Sequence, residues 1–113
     1  MKRDYKLYIN DIRESVRLIE EYLQSVSEER FKKDRKLQDA VIRRLEIIGE
    51  ASRNIPRALK EKNRHVPWFE MSQFRDFIVH SYFEVSLQRI WKTATINVQH
   101  IKEELTDILK YWI

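Results

Sequence analysis

A chain of 113 residues suffices for one domain around a single core, and 42% apolar with 35% charged residues indicates a folded chain with a large solvated surface. One glycine and two prolines leave almost nothing for tight turns, which excludes all-β and Rossmann-type folds. The absence of cysteine removes disulfides, thiolate zinc sites and cysteine nucleophiles, and a net charge of +4 tolerates a polyanionic partner without requiring one.

Apolar residues at Tyr5, Tyr8, Ile9, Ile12, Val16, Ile19, Leu23 and Val26 recur at steps of three and four, which predicts a first helix about 30 Å long. Ser27, followed by Glu28 and Glu29, fits the N-cap and acidic first turn of a short second helix. From about Asp34 to Asn54 a third helix carries the stripe Leu37, Val41, Leu45, Ile48 and Ala51. Ile42 and Ile47 lie off that stripe, so this helix has a second apolar face, suited either to burial within the chain or to self-association. Gly49 falls inside it and costs about 1 kcal/mol against alanine, which points to close approach of another backbone. Pro56 opens a short helix reaching Arg64, and Pro67 precedes a helix from Trp68 or Met71 to Tyr82. Ser86 caps the last helix, whose stripe runs Leu87, Ile90, Trp91, Ala94, Val98, Ile101, Leu105, Ile108 and Trp112. The expected fold is all-α: an antiparallel bundle of four long helices plus short ones, a single domain over 1–113, most simply a homodimer. No apolar run approaches the roughly 18 residues of a membrane span, and the Met1-Lys2-Arg3-Asp4 start lacks a signal-peptide core, so a cytoplasmic location is expected.

Two of the three histidines lack chemical company. His65 lies in a loop and His100 on a polar helix face, neither with metal ligands at i+3 or i+4, and no metal site is expected. His80 differs. The segment from Phe74 to Phe83 places Arg75, Asp76, His80 and Tyr82 in one otherwise apolar helix end. With twelve arginines and three histidines, an R-x4-H pair arises by chance about 0.3 times in such a chain, whereas requiring Tyr82 as well lowers this to about 0.01. The same residues also suit a polar helix edge satisfied by Asp76 and solvent.

Asp76 and His80 are four apart, so the carboxylate can accept the imidazole N–H and fix its tautomer. Arg75 and His80 point about 140° apart on a straight helix, so one copy cannot easily aim both at one phosphate. Two copies meeting across an axis can. A guanidinium clamps phosphate, and an imidazole moves a proton at a ribose 2′-hydroxyl or at the leaving oxygen. Together they suffice for metal-free RNA cleavage, with Tyr82 stacking on a base or bonding a phosphate.

These residues resemble the HEPN superfamily, and within it the HepT-like ribonuclease toxins, whose R-x4-H-x-Y motif is matched by Arg75, His80 and Tyr82. The likeness extends to Gln38–Val41, Leu45–Ala51, Val66-Pro67-Trp68 and Tyr82–Val85, and so covers nearly the whole chain. It implies an all-α homodimer acting as a metal-independent endoribonuclease without a cofactor, its paired motifs lining a cleft at the dimer interface. It further implies an MNT-type nucleotidyltransferase antitoxin that transfers AMP to Tyr82, as in type VII-like toxin–antitoxin pairs. The residue after the arginine is often asparagine in this group, whereas here Asp76 adds a negative charge beside the phosphate site. The alternative is a non-catalytic HEPN module that binds a nucleotide or serves a nucleotidyltransferase.

Overall fold

The computed structural model describes residues 4–80 and 86–110, without the side chains of Val79, His80, Asp107, Leu109 and Lys110. Helix α1 (Tyr5–Leu23) is followed by α2 (Glu28–Lys33), α3 (Arg35–Arg53), α4 (Arg57–Lys62) and α5 (Trp68–His80). Beyond it, α6 (Leu87–Lys92) passes through a π-helical turn (Thr93–Asn97) into α7 (Val98–Lys110). The described residues contain helices and connections and no strand, as expected.

Capping side chains set the helix starts. Ser27 Oγ accepts from the Arg30 backbone N–H at 3.1 Å, Asp34 Oδ1 from Leu37 at 3.0 Å, and Ser86 Oγ from Arg89 at 3.2 Å. The turn after α1 is built without glycine: Ser25 takes φ 60°, in the left-handed region, at a cost of roughly 1 kcal/mol.

Helix α3 is the centre of the bundle, packed against α1 on one side and α5 on the other. The α1 stripe is buried at Ile9, Ile12, Val16 and Ile19, and the α3 stripe at Val41, Leu45, Ile48 and Ala51. Of the second apolar face of α3, Ile42 packs against this same core, whereas Ile47 lines a groove beside α1. From α5, Trp68, Met71, Phe74 and Ile78 complete the core. Residues on the last helix join it through Ile90, Ala94, Val98, Ile101, Leu105 and Ile108, while Trp112 lies outside the described residues.

Two features depart from the expected pattern. The last helix is not a uniform α-helix. At its π turn the Thr93 and Thr95 hydroxyls donate to the carbonyls of Arg89 at 2.8 Å and Trp91 at 2.7 Å. Below the turn, Trp91 meets Phe31 of α2 at a centroid distance of 5.5 Å, and above it Lys102 pairs with Glu20 of α1 at 3.0 Å. Second, Phe31, which belongs to none of the apolar stripes read from the sequence, is fully buried, so the short α2 plugs the core.

Gly49 is where α3 and α5 touch. A β-carbon there would lie 2.8 Å from the Arg75 backbone nitrogen and 3.0 Å from the Arg75 β-carbon, closer than atoms tolerate. The close backbone approach expected from the lone glycine is thus present, and the partner is Arg75 itself. Gly49→Ala gains about 1 kcal/mol of helix propensity but incurs an overpacking penalty of about 1–3 kcal/mol against a helix backbone that cannot rotate away. The expected net result is a lower melting temperature in thermal unfolding followed by circular dichroism; a rise would show that propensity outweighs the contact.

Candidate functional site

The close contact at Gly49 brings two charged residues of α3 alongside two of α5. Glu50 follows the glycine, and its Oε1 lies 2.5 Å from Nε of Arg75. One turn on, Arg53 donates from Nη2 to Oδ1 of Asp76. The pattern is crossed: α3 supplies an acid and a base, and α5 supplies a base and an acid.

Both pairs lie at the surface, with side chains 43% and 52% exposed for Arg75 and Glu50. Exposed pairs of this kind contribute about 0–1 kcal/mol, so their value lies in orientation more than in stability. Glu50 engages Nε of the guanidinium, the donor on the stem side. The two Nη groups form the outer edge of the fork, the edge that recognises two oxygens of a phosphate.

Asp76, expected to support His80, is bonded to Arg53 through Oδ1, and its negative charge is offset within the chain. His80 is the last residue of α5 and its imidazole lies outside the described side chains, as does the whole of Tyr82. The Asp76–His80 contact and the relation of Tyr82 to Arg75 therefore fall outside the described residues. His65 and His100 are exposed. Among the described residues no group of three or more His, Asp or Glu is arranged to hold a metal ion, and no helix is long and apolar enough to cross a membrane.

Glu50 and Arg53 were absent from the sequence-level site, although both sit in or beside the Leu45–Ala51 block. The available signal was Gly49: a helix glycine explained by close approach places its neighbours at the contact. Glu50 also lines a groove of about 270 Å³ between α1 and α3, with Tyr8, Asp11, Arg43, Glu46 and Ile47. Past the motif, Arg89 of α6 stacks over the Phe77 ring, 4.4 Å from its centroid, and Phe77 meets Phe74 edge-on at 6.2 Å. The far side of α5 is thereby tied to α6.

The chain is similar to known proteins over nearly its whole length. The family described as "Ribonuclease HepT-like" matches residues 12–108. A Thermococcus cleftensis protein named "Probable ribonuclease HepT" is 44% identical over 110 residues, covering 97% of this chain and 100% of that protein. A Methanocaldococcus jannaschii protein named "Gamma-glutamylcyclotransferase and putative RNase MJ0434" is 44% identical over 110 residues, 97% of this chain; the chain spans 50% of that relative's length. From Caldanaerobacter subterraneus, "Putative RNase TTE0752" is 36% identical over 103 residues, 91% of this chain and 92% of that one. No solved structure matches the chain. Because the family match runs from α1 to α7 and takes in the Gly49–Arg75 contact with both of its ion pairs, the chain belongs to the HepT-like ribonuclease family.

Proposed function

We propose that this protein is a metal-independent endoribonuclease, the toxin of a type VII-like toxin–antitoxin pair, which cuts RNA in a cleft between two copies of the chain. The observation that supports the reading is the anchoring of Arg75 by Glu50 at Nε; the Nη edge of a guanidinium is the one suited to two phosphate oxygens. A ribose 2′-oxygen attacks the adjacent phosphorus; the new O2′–P bond forms as the P–O5′ bond breaks. One His80 imidazole takes the 2′-hydroxyl proton and the His80 imidazolium of the other copy protonates the departing O5′. Arg75 stabilises the extra negative charge on the phosphoryl oxygens during the exchange. The products are a 2′,3′-cyclic phosphate and a 5′-hydroxyl, and DNA, lacking the nucleophile, is a poor substrate.

Asp76 acts as a supporting group. With Oδ1 taken by Arg53, its Oδ2 accepts the N–H of the imidazole four residues on and fixes the tautomer. Neutralisation is proposed to act on the same motif. An MNT-type nucleotidyltransferase joins the Tyr82 oxygen to the α-phosphorus of ATP and releases pyrophosphate. The AMP so attached places an anion beside Arg75 and competes with RNA for its fork.

Incubation of the antitoxin-free protein with a broad RNA pool in EDTA is the direct test. The wild type is expected to cut, leaving cyclic-phosphate ends, and His80→Ala to lose at least about 100-fold in rate, the scale of a lost general base. No cleavage by either, with Tyr82 unmodified by mass, would overturn the nuclease reading and leave the non-catalytic, nucleotidyltransferase-serving module. The role of Glu50 separates by its kinetic signature. Glu50→Ala frees the guanidinium to wander and lowers kcat about tenfold without raising KM, whereas Glu50→Gln keeps an acceptor for Nε and retains most of the activity. Steady-state kinetics on a short RNA reads both.

A further inference from the structure

Glu50 belongs to two places at once. Its carboxylate holds Nε of Arg75, and the same side chain lines the groove of about 270 Å³ between α1 and α3. A ligand in that groove therefore lies one side chain away from the guanidinium that the nuclease reading assigns to phosphate. On α3 the groove is lined by Arg43, Glu46, Glu50 and Asn54, which recur at steps of three and four and so share one face of the helix. Glu46 stands one turn before Glu50, a rise of about 6 Å.

The lining joins two kinds of surface. Tyr8, Ile47 and Ala51 supply aromatic and aliphatic area against which a flat ring packs. The charged groups are three carboxylates, Asp11, Glu46 and Glu50, against one guanidinium, Arg43. That excess of negative charge repels a phosphate and leaves the groove to an uncharged group. Arg43 Nη1 and Glu46 Oε2 lie 3.9 Å apart, beyond hydrogen-bond length, with side chains 65% and 35% exposed. The pair thus presents a carboxylate acceptor beside a guanidinium donor, each with bonding capacity left. Of the four RNA bases, guanine alone matches such a pair. Its N1–H and N2 amino group form a two-donor edge for a carboxylate, and O6 and N7 adjoin as a two-acceptor edge for a guanidinium. Adenine and cytosine set a ring acceptor beside their amino group, and uracil sets its one N–H between two carbonyls.

We propose that this groove is a base subsite that takes guanine from the RNA strand held at Arg75. Glu46 accepts from N1–H and the N2 amino group, and Arg43 donates to O6 or N7. The inference rests on the nuclease reading for its substrate and adds to it a preference for sequence. Charge sorts the nucleotide: its phosphate goes to the guanidinium of Arg75 and its base to the acidic groove, with Glu50 bordering both. Base contacts specify where phosphate contacts only position, so the groove decides where along a strand the cut falls.

The test measures binding of the full chain by fluorescence anisotropy to 2′-O-methyl oligouridylates carrying one central guanosine, inosine or adenosine. The methyl group removes the nucleophile, so the strands are not consumed. The wild type is expected to prefer guanosine to adenosine about tenfold or more, the scale of a bidentate base contact. Inosine, which lacks only the N2 amino group, is expected to fall between them. Glu46→Gln replaces two acceptors by one acceptor and one donor, and is expected to cut the guanosine-to-adenosine ratio to about twofold or less. Glu103→Gln, at an exposed position of α7, removes the same charge away from the groove and is expected to keep the ratio. No guanosine preference in the wild type, a preference for another base, or inosine bound as tightly as guanosine would overturn the subsite. So would a ratio untouched by Glu46→Gln, or lowered equally by Glu103→Gln. Cleavage gives a second readout: wild-type cuts are expected beside guanosine, and Glu46→Gln is expected to spread them over other bases. Cutting without base preference would remove the subsite and leave the nuclease reading. Guanosine preference without cutting would remove the nuclease reading and leave the subsite.

Discussion

The approach of α3 to α5 at Gly49 is the constraint on which the site depends. A side chain at that position would collide with the backbone of Arg75, so the bare glycine fixes how near the motif helix lies and where along it the contact falls. The two ion pairs then follow from register. Magnitudes order these effects: steric crowding in a packed contact is worth about 1–3 kcal/mol, an exposed ion pair about 0–1. Backbone contact therefore positions Arg75, and Glu50 orients what has been positioned.

The four charges at this contact sum to zero. Glu50 offsets Arg75, and Arg53 offsets Asp76. In the sequence Asp76 adds a negative charge directly after the motif arginine, yet in the folded chain that charge is met by a guanidinium from the neighbouring helix. Local neutrality also means that these four groups generate little long-range field.

Much of the architecture was legible because it rests on period. The stripes of α1 and α3 and the serine caps at Ser27 and Ser86 read directly, since burial and backbone capping leave local signatures. The lone helix glycine correctly pointed to a close approach, but not to its partner, because a glycine names no neighbour. The same gap hid Glu50 and Arg53: their importance comes from what lies across the helix interface, 23 to 25 positions later in the chain. The π turn escaped for another reason. Apolar residues continue at three-four spacing through Thr93–Asn97, and the difference lies in the backbone, where the Val98 N–H reaches back five residues to the Thr93 carbonyl.

That turn bears on how the fold tolerates change in length. A π turn closes its hydrogen bond one residue later than an α turn, so it stores a single extra residue inside an otherwise regular rod. Here the rod has two separate obligations: Trp91 must meet Phe31 on α2, and Lys102 must meet Glu20 on α1. Each residue gained or lost between them swings one half about 100° relative to the other. The π turn acts as a phase adjuster between two interfaces that would otherwise compete for one helical register. An ancestral insertion at this point would have been absorbed where it arose, leaving the α3–α5 hairpin that carries the motif undisturbed.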